Sequence, residues 1–474
     1  MKLNSRSLVI GGLVTASTFS MAQKKPNVLF ILSDDHSVPD LGCYGNPDLK
    51  TPNLDRLAKQ GVLFRNAFCA APQSVPSRAA YLTGRNVVAV DMLRFSNPLP
   101  REYVTFPEVL RAAGYHVGTL GRLFHLDGSH DPNAVETEIH KKLGLITFSD
   151  RYNYVAFGNE YNLIPKTEEF LNQVPKDTPF CLWANYHDPH RPWLAKEYEP
   201  DPDKITVPQT LPDTKEVRKD LAAYYGTINR LDENLGKYLD YLQKRGALEN
   251  TIIVFAGDNG CSLIRGKGTL YRVGLNTPLI VNYPPKAKAN IVSDVLVAGI
   301  DVAPTILELC GVKGNPEIEG KSFVKVLNGS REEYNDYVYA VRGTHASSLP
   351  NGTGAFDLSR TVFNKEYKLI YNPLWQLSYW PVDAGGQPFW KDLVQKNKAG
   401  ELESRFSKST LFTEKRPMFE LYDLKNDPNE FNNLSGKPSY EEVEYDLKLK
   451  MEEWMIVNRD MVPLPIAGPP PIKH

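Results

Sequence analysis

Three unbroken apolar runs constrain this chain more than any other feature: Val28-Leu29-Phe30-Ile31-Leu32, Phe180-Cys181-Leu182-Trp183-Ala184 and Thr251-Ile252-Ile253-Val254-Phe255-Ala256. A short run without polar alternation reads as a strand buried on both faces, as in a parallel sheet covered by helices. Each run gives way to polar groups: Ser33-Asp34-Asp35-His36, Asn185-Tyr186-His187-Asp188-Pro189-His190, and Gly257-Asp258-Asn259-Gly260. Taken singly, Asp34-Asp35 reads equally as a solvated turn. Three strands ending in polar groups on one sheet edge read as a site, because open α/β sheets bind ligands outside their carboxyl ends. Asp34, Asp35, Asp258 and Asn259 together offer hard oxygen ligands to one divalent cation. With no His or Cys among them, calcium or magnesium is favoured over zinc.

A second feature is Ser74-Val75-Pro76-Ser77-Arg78, continuing to Gly84. Pro suits the first turn of a helix, so Ser74 falls at a helix N-terminus, where free N–H groups attract anions. Arg78, one turn on, can reach the same place. An N-cap Ser with a surface Arg is the plain alternative. The stretch from Asp220 to Arg245 carries Leu221, Tyr225, Ile228, Leu231, Leu235, Leu239 and Leu242 at helical spacing, with Gly246 as a stop, and reads as scaffold.

The Ser74–Gly84 segment resembles the signature of type I sulfatases, S-x-P-S-R-x-x-x-L-T-G. The likeness extends to the family's D-D at Asp34-Asp35, H-x-P-H at His187–His190 and D-N-G at Asp258–Gly260. It continues through the Gly114–His125 segment, K-x-x-x-Y at Lys267–Tyr271, G-x-D-x-x-P-T at Gly299–Thr305 and E-L-Y-D-L at Glu420–Leu424. The overall spacing looks most like the heparan N-sulfatase (sulfamidase) branch. This resemblance implies an alkaline-phosphatase-like α/β fold: a large, mostly parallel central sheet flanked by helices, followed by a smaller C-terminal α/β domain with a short antiparallel sheet.

It also implies that Ser74 is converted to formylglycine (3-oxoalanine) by a radical maturation enzyme. One calcium ion would then be held by Asp34, Asp35, Asp258, Asn259 and residue 74. Catalytic roles fall on Ser74, Arg78, Arg122, His125, His187 and Lys267, and sugar contacts on His190, Arg191 and Trp193. The family's Lys is replaced by Arg122, which keeps the charge but cannot give up a proton. The activity implied is hydrolysis of sulfate esters or N-sulfate on a saccharide derived from a glycosaminoglycan. A phosphodiester or phosphonate monoester hydrolase of the same superfamily, or a non-catalytic binder of sulfated glycans, stays open.

The formal net charge of −1 gives no electrostatic case for nucleic acid as a partner. Five scattered cysteines argue against a disulfide framework and a zinc site. Lys2 and Arg6, then Leu8–Val14 and small residues to Ala22, are laid out as a signal peptide over residues 1–22, too short to span a membrane. Export to the periplasm or beyond is therefore expected. The catalytic domain is expected at 24–345 and the smaller one at 346–474. Trp375, Tyr379, Trp380 and Trp390 cluster in one stretch, readable as a sugar platform or as core of the small domain.

Overall fold

The computed structural model describes residues 24–466 apart from 96–97, 124–125, 127–134, 146–147, 333 and 346–351. The expected signal peptide and His125 lie outside the described residues. The first ten strands in chain order are β1 (Asn27–Ser33), β2 (Val62–Phe64), β3 (Ala67–Phe68), β4 (His116–Gly121) and β5 (Tyr154–Phe157), then β6 (Phe180–Asn185), β7 (Thr251–Gly257), β8 (Leu279–Asn282), β9 (Ile291–Ser293) and β10 (Val297–Ala298). Eight of them form one sheet in the order β5-β4-β6-β1-β7-β8-β2-β9, while β3 and β10 pair separately. All neighbours in the large sheet are parallel except at β8, which runs against both β7 and β2.

The three apolar runs are β1, β6 and β7, with β1 in the middle. Residues of β1 alternate between two cores. Val28, Phe30 and Leu32 pack with the helix Ser74–Thr83 and its neighbours, and Leu29 and Ile31 with the helix Lys215–Lys244. Burial on both faces is what removes polar alternation from these strands. The long helix starts at Thr214, whose side chain accepts from Val217 N–H, and bears out the scaffold expected from Asp220 onward.

Because β4, β6, β1 and β7 are adjacent and parallel, their carboxyl ends deliver Arg122, Asn185, Asp34-Asp35 and Asp258-Asn259 side by side. Gly121 makes the first of these possible. Its φ is +95°, and a Cβ there would lie 1.9 Å from the Asn185 carbonyl oxygen. Only glycine lets β4 end so close to β6.

A second sheet is antiparallel, in the order β11 (Val338–Val341), β12 (Arg360–Phe363), β13 (Tyr367–Tyr371) and β14 (Phe419–Asp423). The helix Glu441–Val457 packs on β12 and β13. Its first strand precedes the boundary expected at residue 345, so the small sheet draws on both sides of that point. The aromatic stretch divides. Tyr379 and Trp390 are buried, Trp390 on the helix Pro388–Ala399 and stacked on Phe412, whereas Trp380 is 51% exposed. Among the described residues no helix is long and apolar enough to cross a membrane.

Candidate active site

Ser74 opens the helix Ser74–Thr83, whose residues are all buried. The preceding Gln73 is extended, and its amide clamps Gly343 N–H (3.0 Å) and the Thr344 carbonyl (2.9 Å), so the helix start is fixed from the small-sheet side. The Ser74 hydroxyl lies 3.2 Å from Asp34 Oδ1 and 3.0 Å from Asn259 Oδ1. A residue expected to be modified thus sits between two groups expected to hold a cation.

Around it Asp34, Asp35, Asp258 and Asn259 are fully buried. Asn259 Nδ2 donates to Asp35 Oδ1 at 2.9 Å, and Asp258 Oδ1 accepts from the backbone N–H of Asp35 (2.9 Å) and of Asn259 (2.7 Å). Three cations answer these carboxylates. Arg78 meets Asp258 through Nε at 3.0 Å and Asp34 through Nη2 at 3.1 Å. Arg122 Nε is 3.0 Å from Asp34, and Lys267 Nζ is 2.9 Å from Asp35.

Burial would push Asp34 up, but the Arg122 and Arg78 guanidiniums hold it well below the usual carboxylate range. Burial raises Asp35 to about 7 despite Lys267, with Asp34 and Asp383 adding repulsion. Asp258 is likewise pushed up to about 7 by burial and by Asp34. Asp35 and Asp258 resist ionising at this depth even with Arg78 and Lys267 beside them, and a further cation among these oxygens would favour their charged form. An all-oxygen, buried donor set of this kind fits calcium or magnesium. His190 is a further candidate, since one ligand atom each of Asp34, Asp35 and His190 lie within 4.8 Å of one another.

The loop after β6 brings His187 and His190 to the cluster, their rings 5.3 Å apart. It is anchored by Asp188, which accepts from Arg230 at 2.8 and 2.9 Å. His190 Nε2 lies 3.3 Å from Arg122 Nη2 and 3.8 Å from Asp35. Burial and then Arg122 lower His187 to about 4, so its imidazole is neutral at pH 7. Lys267 stays protonated: burial opposes the charge, but Asp35 and Asp383 raise it above its ordinary value. Lys267 is thus a protonated group beside the cluster, as Asp35 and Asp258 also are in part near neutral pH.

Arg191 and Trp193, expected as sugar contacts, are placed differently. The Arg191 guanidinium stacks 3.4 Å over the Trp193 ring and pairs with Asp220 and Ser262. Trp193 Nε1 is spent on the Pro189 carbonyl. Both side chains pin the loop to the long helix and make no bond to the acidic cluster.

Two residues without a role in the sequence reading join the site. Asn185 accepts from Arg78 Nη1 at 2.7 Å and donates to the Leu120 carbonyl at 3.2 Å. Asp383, from the C-terminal part of the chain, places Oδ2 2.8 Å from Lys267 Nζ. Position at a strand's carboxyl end could have flagged Asn185. Asp383 stands in a loop with no periodic pattern around it.

A mostly parallel sheet that gathers carboxylates, guanidiniums and a helix-terminal Ser at its carboxyl edge defines a hydrolase of the alkaline-phosphatase-like class. The chain belongs to the sulfatase family, whose model it matches over residues 26–312. A second match, to the C-terminal region of N-sulphoglucosamine sulphohydrolase, covers 265–378 and 393–456. The chain is 28% identical to an ulvan-active sulfatase of Formosa agariphila across 95% of its length and 85% of the relative's. It is 26% identical to N-sulphoglucosamine sulphohydrolase of Homo sapiens across 92% of its length and 90% of the relative's. Among solved structures, a protein in complex with its substrate D-glucosamine-2-N,6-O-disulfate superposes with a TM-score of 0.67 at 22% identity, covering 93% of this chain and 99% of that one.

Proposed function

We propose that this chain is an exported sulfohydrolase that removes a sulfate ester or N-sulfate from a saccharide, glycosaminoglycan-derived and heparan-like, using formylglycine at residue 74 and one calcium ion. The observation that carries the reading is the Ser74 hydroxyl held between Asp34 Oδ1 and Asn259 Oδ1, with Arg78, Arg122 and Lys267 converging on the same carboxylates. A C-terminal region like that of N-sulphoglucosamine sulphohydrolase supports the saccharide substrate, as do relatives named for ulvan and sulphoglucosamine.

Asp34, Asp35, Asp258 and Asn259 would hold the ion, which when bound withdraws charge from the oxygens of residue 74 and of sulfate. Conversion of Ser74 supplies an aldehyde hydrate as the nucleophile toward sulfur, in place of a serine hydroxyl that is weakly nucleophilic without an activating base. Arg78 fixes Asp34 and Asp258 in place. Arg122 and Lys267 present N–H groups to the sulfate oxygens, where negative charge grows during transfer. Lys267 Nζ carries the proton that the departing sugar oxygen or nitrogen requires, and His187 orients that group as a neutral imidazole. By the family resemblance, His125 would take the proton of the second hydroxyl of the hydrate when sulfate leaves.

The test has two parts. Peptide mass spectrometry on protein from its native host should show the Ser74 peptide lighter by two hydrogens, and Ser74→Ala should abolish sulfate release from sulfated disaccharides while the fold persists. Undiminished sulfate release by Ser74→Ala overturns the reading.

A further inference from the structure

Beside the acidic cluster lies a cavity of about 640 Å³ lined by His345, Ser378, Trp380, Asp383, Gly385 and Gln387, among others. All come from the C-terminal part of the chain, and Asp383 joins the two regions. Its carboxylate is 31% exposed in the cavity wall, and meets Lys267 at 2.8 Å and His190 and His345 at 3.8 Å. Asp383 thus stands between Lys267 and this cavity.

Trp380 is built to face it. A Cβ on Gly385 would fall 2.0 Å from Trp380 Nε1, and one on Gly354 would fall 2.6 Å from Cδ1. The indole lies against two glycines that leave it room. The backbone N–H of Trp380 donates to Thr353 Oγ1 at 2.9 Å, which ties its backbone to the segment between Gly352 and Gly354. About half of this large side chain is nevertheless open to solvent, and a fixed, exposed aromatic on a cavity rim presents an apolar face to a flat ligand.

We propose that Trp380 and Asp383 form the subsite for the sugar ring that carries the sulfate. Trp380 stacks on one face of the pyranose, and Asp383 accepts hydrogen bonds from its hydroxyl or amino groups. His345 stands beside Asp383, its ring 4.5 Å from Phe95 and its Nε2 3.8 Å from the carboxylate's other oxygen. An ionised carboxylate accepts and cannot donate, so the subsite favours a neutral or amino sugar over a hexuronate. The inference rests on the saccharide reading above and deepens it.

Saturation-transfer NMR on the full-length Ser74→Ala protein, which binds without turnover, reads the subsite directly. With glucosamine 6-sulfate as probe, ring-proton saturation should appear and fall at least fivefold when Trp380→Ala or Asp383→Asn is added; 2-O-sulfated hexuronate should give the weaker signal throughout. Trp380→Phe, which keeps a ring and guards against misfolding, should retain part of the effect. In the unmutated Ser74 background, each substitution should raise KM for glucosamine 6-sulfate or N-sulfoglucosamine at least tenfold, a larger factor than any fall in kcat. Unchanged saturation and KM in both variants overturn the subsite while leaving the sulfatase reading intact. Ring saturation that depends on Trp380, in a protein that releases no sulfate, does the reverse.

Discussion

Arg78 Nη1 meets the side-chain oxygen of Asn185 at 2.7 Å, at the point where β6 ends. This bond sets the direction of a guanidinium that must serve Asp34 and Asp258 together. Asn185 touches neither substrate nor the reacting atoms on this view; it is a positioning residue. Asn185→Ala should lower kcat by about ten- to hundredfold, the worth of a lost hydrogen bond to a charged group. Asn185→Asp should not rescue it fully, because another negative charge joins a cluster already rich in carboxylates. Steady-state kinetics of both variants on one sulfated saccharide check this, and unchanged kcat in Asn185→Ala refutes it.

Removal of the divalent ion should destabilise the protein as well as inactivate it. Three buried carboxylates would then face one another with only Arg78, Arg122 and Lys267 as counter-charges. A ligand at a hundred times its Kd stabilises by about 2.7 kcal/mol. Chelation should therefore lower Tm by several degrees, and calcium should restore it. A Tm indifferent to chelator and to added calcium would show that the cluster stands without an ion.

Much of this site was legible because its parts sit at places the backbone dictates. Asp34-Asp35 and Asp258-Asn259 follow unbroken apolar runs, and a parallel sheet leaves no other direction for the residues after its strands. Ser74 was legible from Pro76 and the apolar run behind it. The remainder depended on tertiary choices. Arg191 looked free to meet a sugar until Asp220, on the long helix, claimed it. Trp380 and Trp390 are the same residue type in one stretch, yet one went to the rim and the other to the core: Trp390, on the Pro388–Ala399 helix, is stacked on Phe412, while Trp380 meets Trp390 in an edge contact. Asp383 has a positive φ of 57°, a turn conformation that Asp tolerates but no hydrophobic period announces.

Asp40 makes the stability depend on pH. It is 5% exposed, and burial pushes its carboxyl up to about 7, relieved only by Tyr224. The folded state thus binds a proton that the unfolded state releases near pH 4, so stability falls as pH rises from about 4 to 7. The limiting slope for this one group is ~1.4 kcal/mol per pH unit. Asp40→Asn should raise Tm at pH 8 and leave it nearly unchanged at pH 4. Equal shifts at both pH values would refute the assignment.

Lys368 and Glu430 form an ion pair with both side chains 1% exposed, where the loop after β14 meets β13. Lys368→Met leaves Glu430 buried without its counter-charge, and should cost about 3–5 kcal/mol. The double change Lys368→Met with Glu430→Gln should recover part of that loss. Denaturant unfolding of the three proteins measures it, and a single variant as stable as the unmutated chain would refute the pair's role.

Arg122 is the departure from the family pattern, and its surroundings say what the change costs. The guanidinium divides its contacts, Nε to Asp34 at 3.0 Å and Nη2 toward His190 at 3.3 Å. A lysine ammonium is a single point on a flexible stem and cannot hold both. Arg122→Lys keeps the charge but gives up the contact to His190 Nε2, while His190 Nδ1 stays on the Arg191 carbonyl, so KM should rise by about tenfold or less with kcat largely kept. Arg122→Ala removes the charge as well, and should lower kcat at least a hundredfold, in the range for losing one charge-stabilising donor. If the two variants fell equally, geometry would matter more than charge at this position. The leaving-group proton would be unaffected in either variant, since Arg122 does not release one, and the pH profile of kcat should keep its shape in Arg122→Lys.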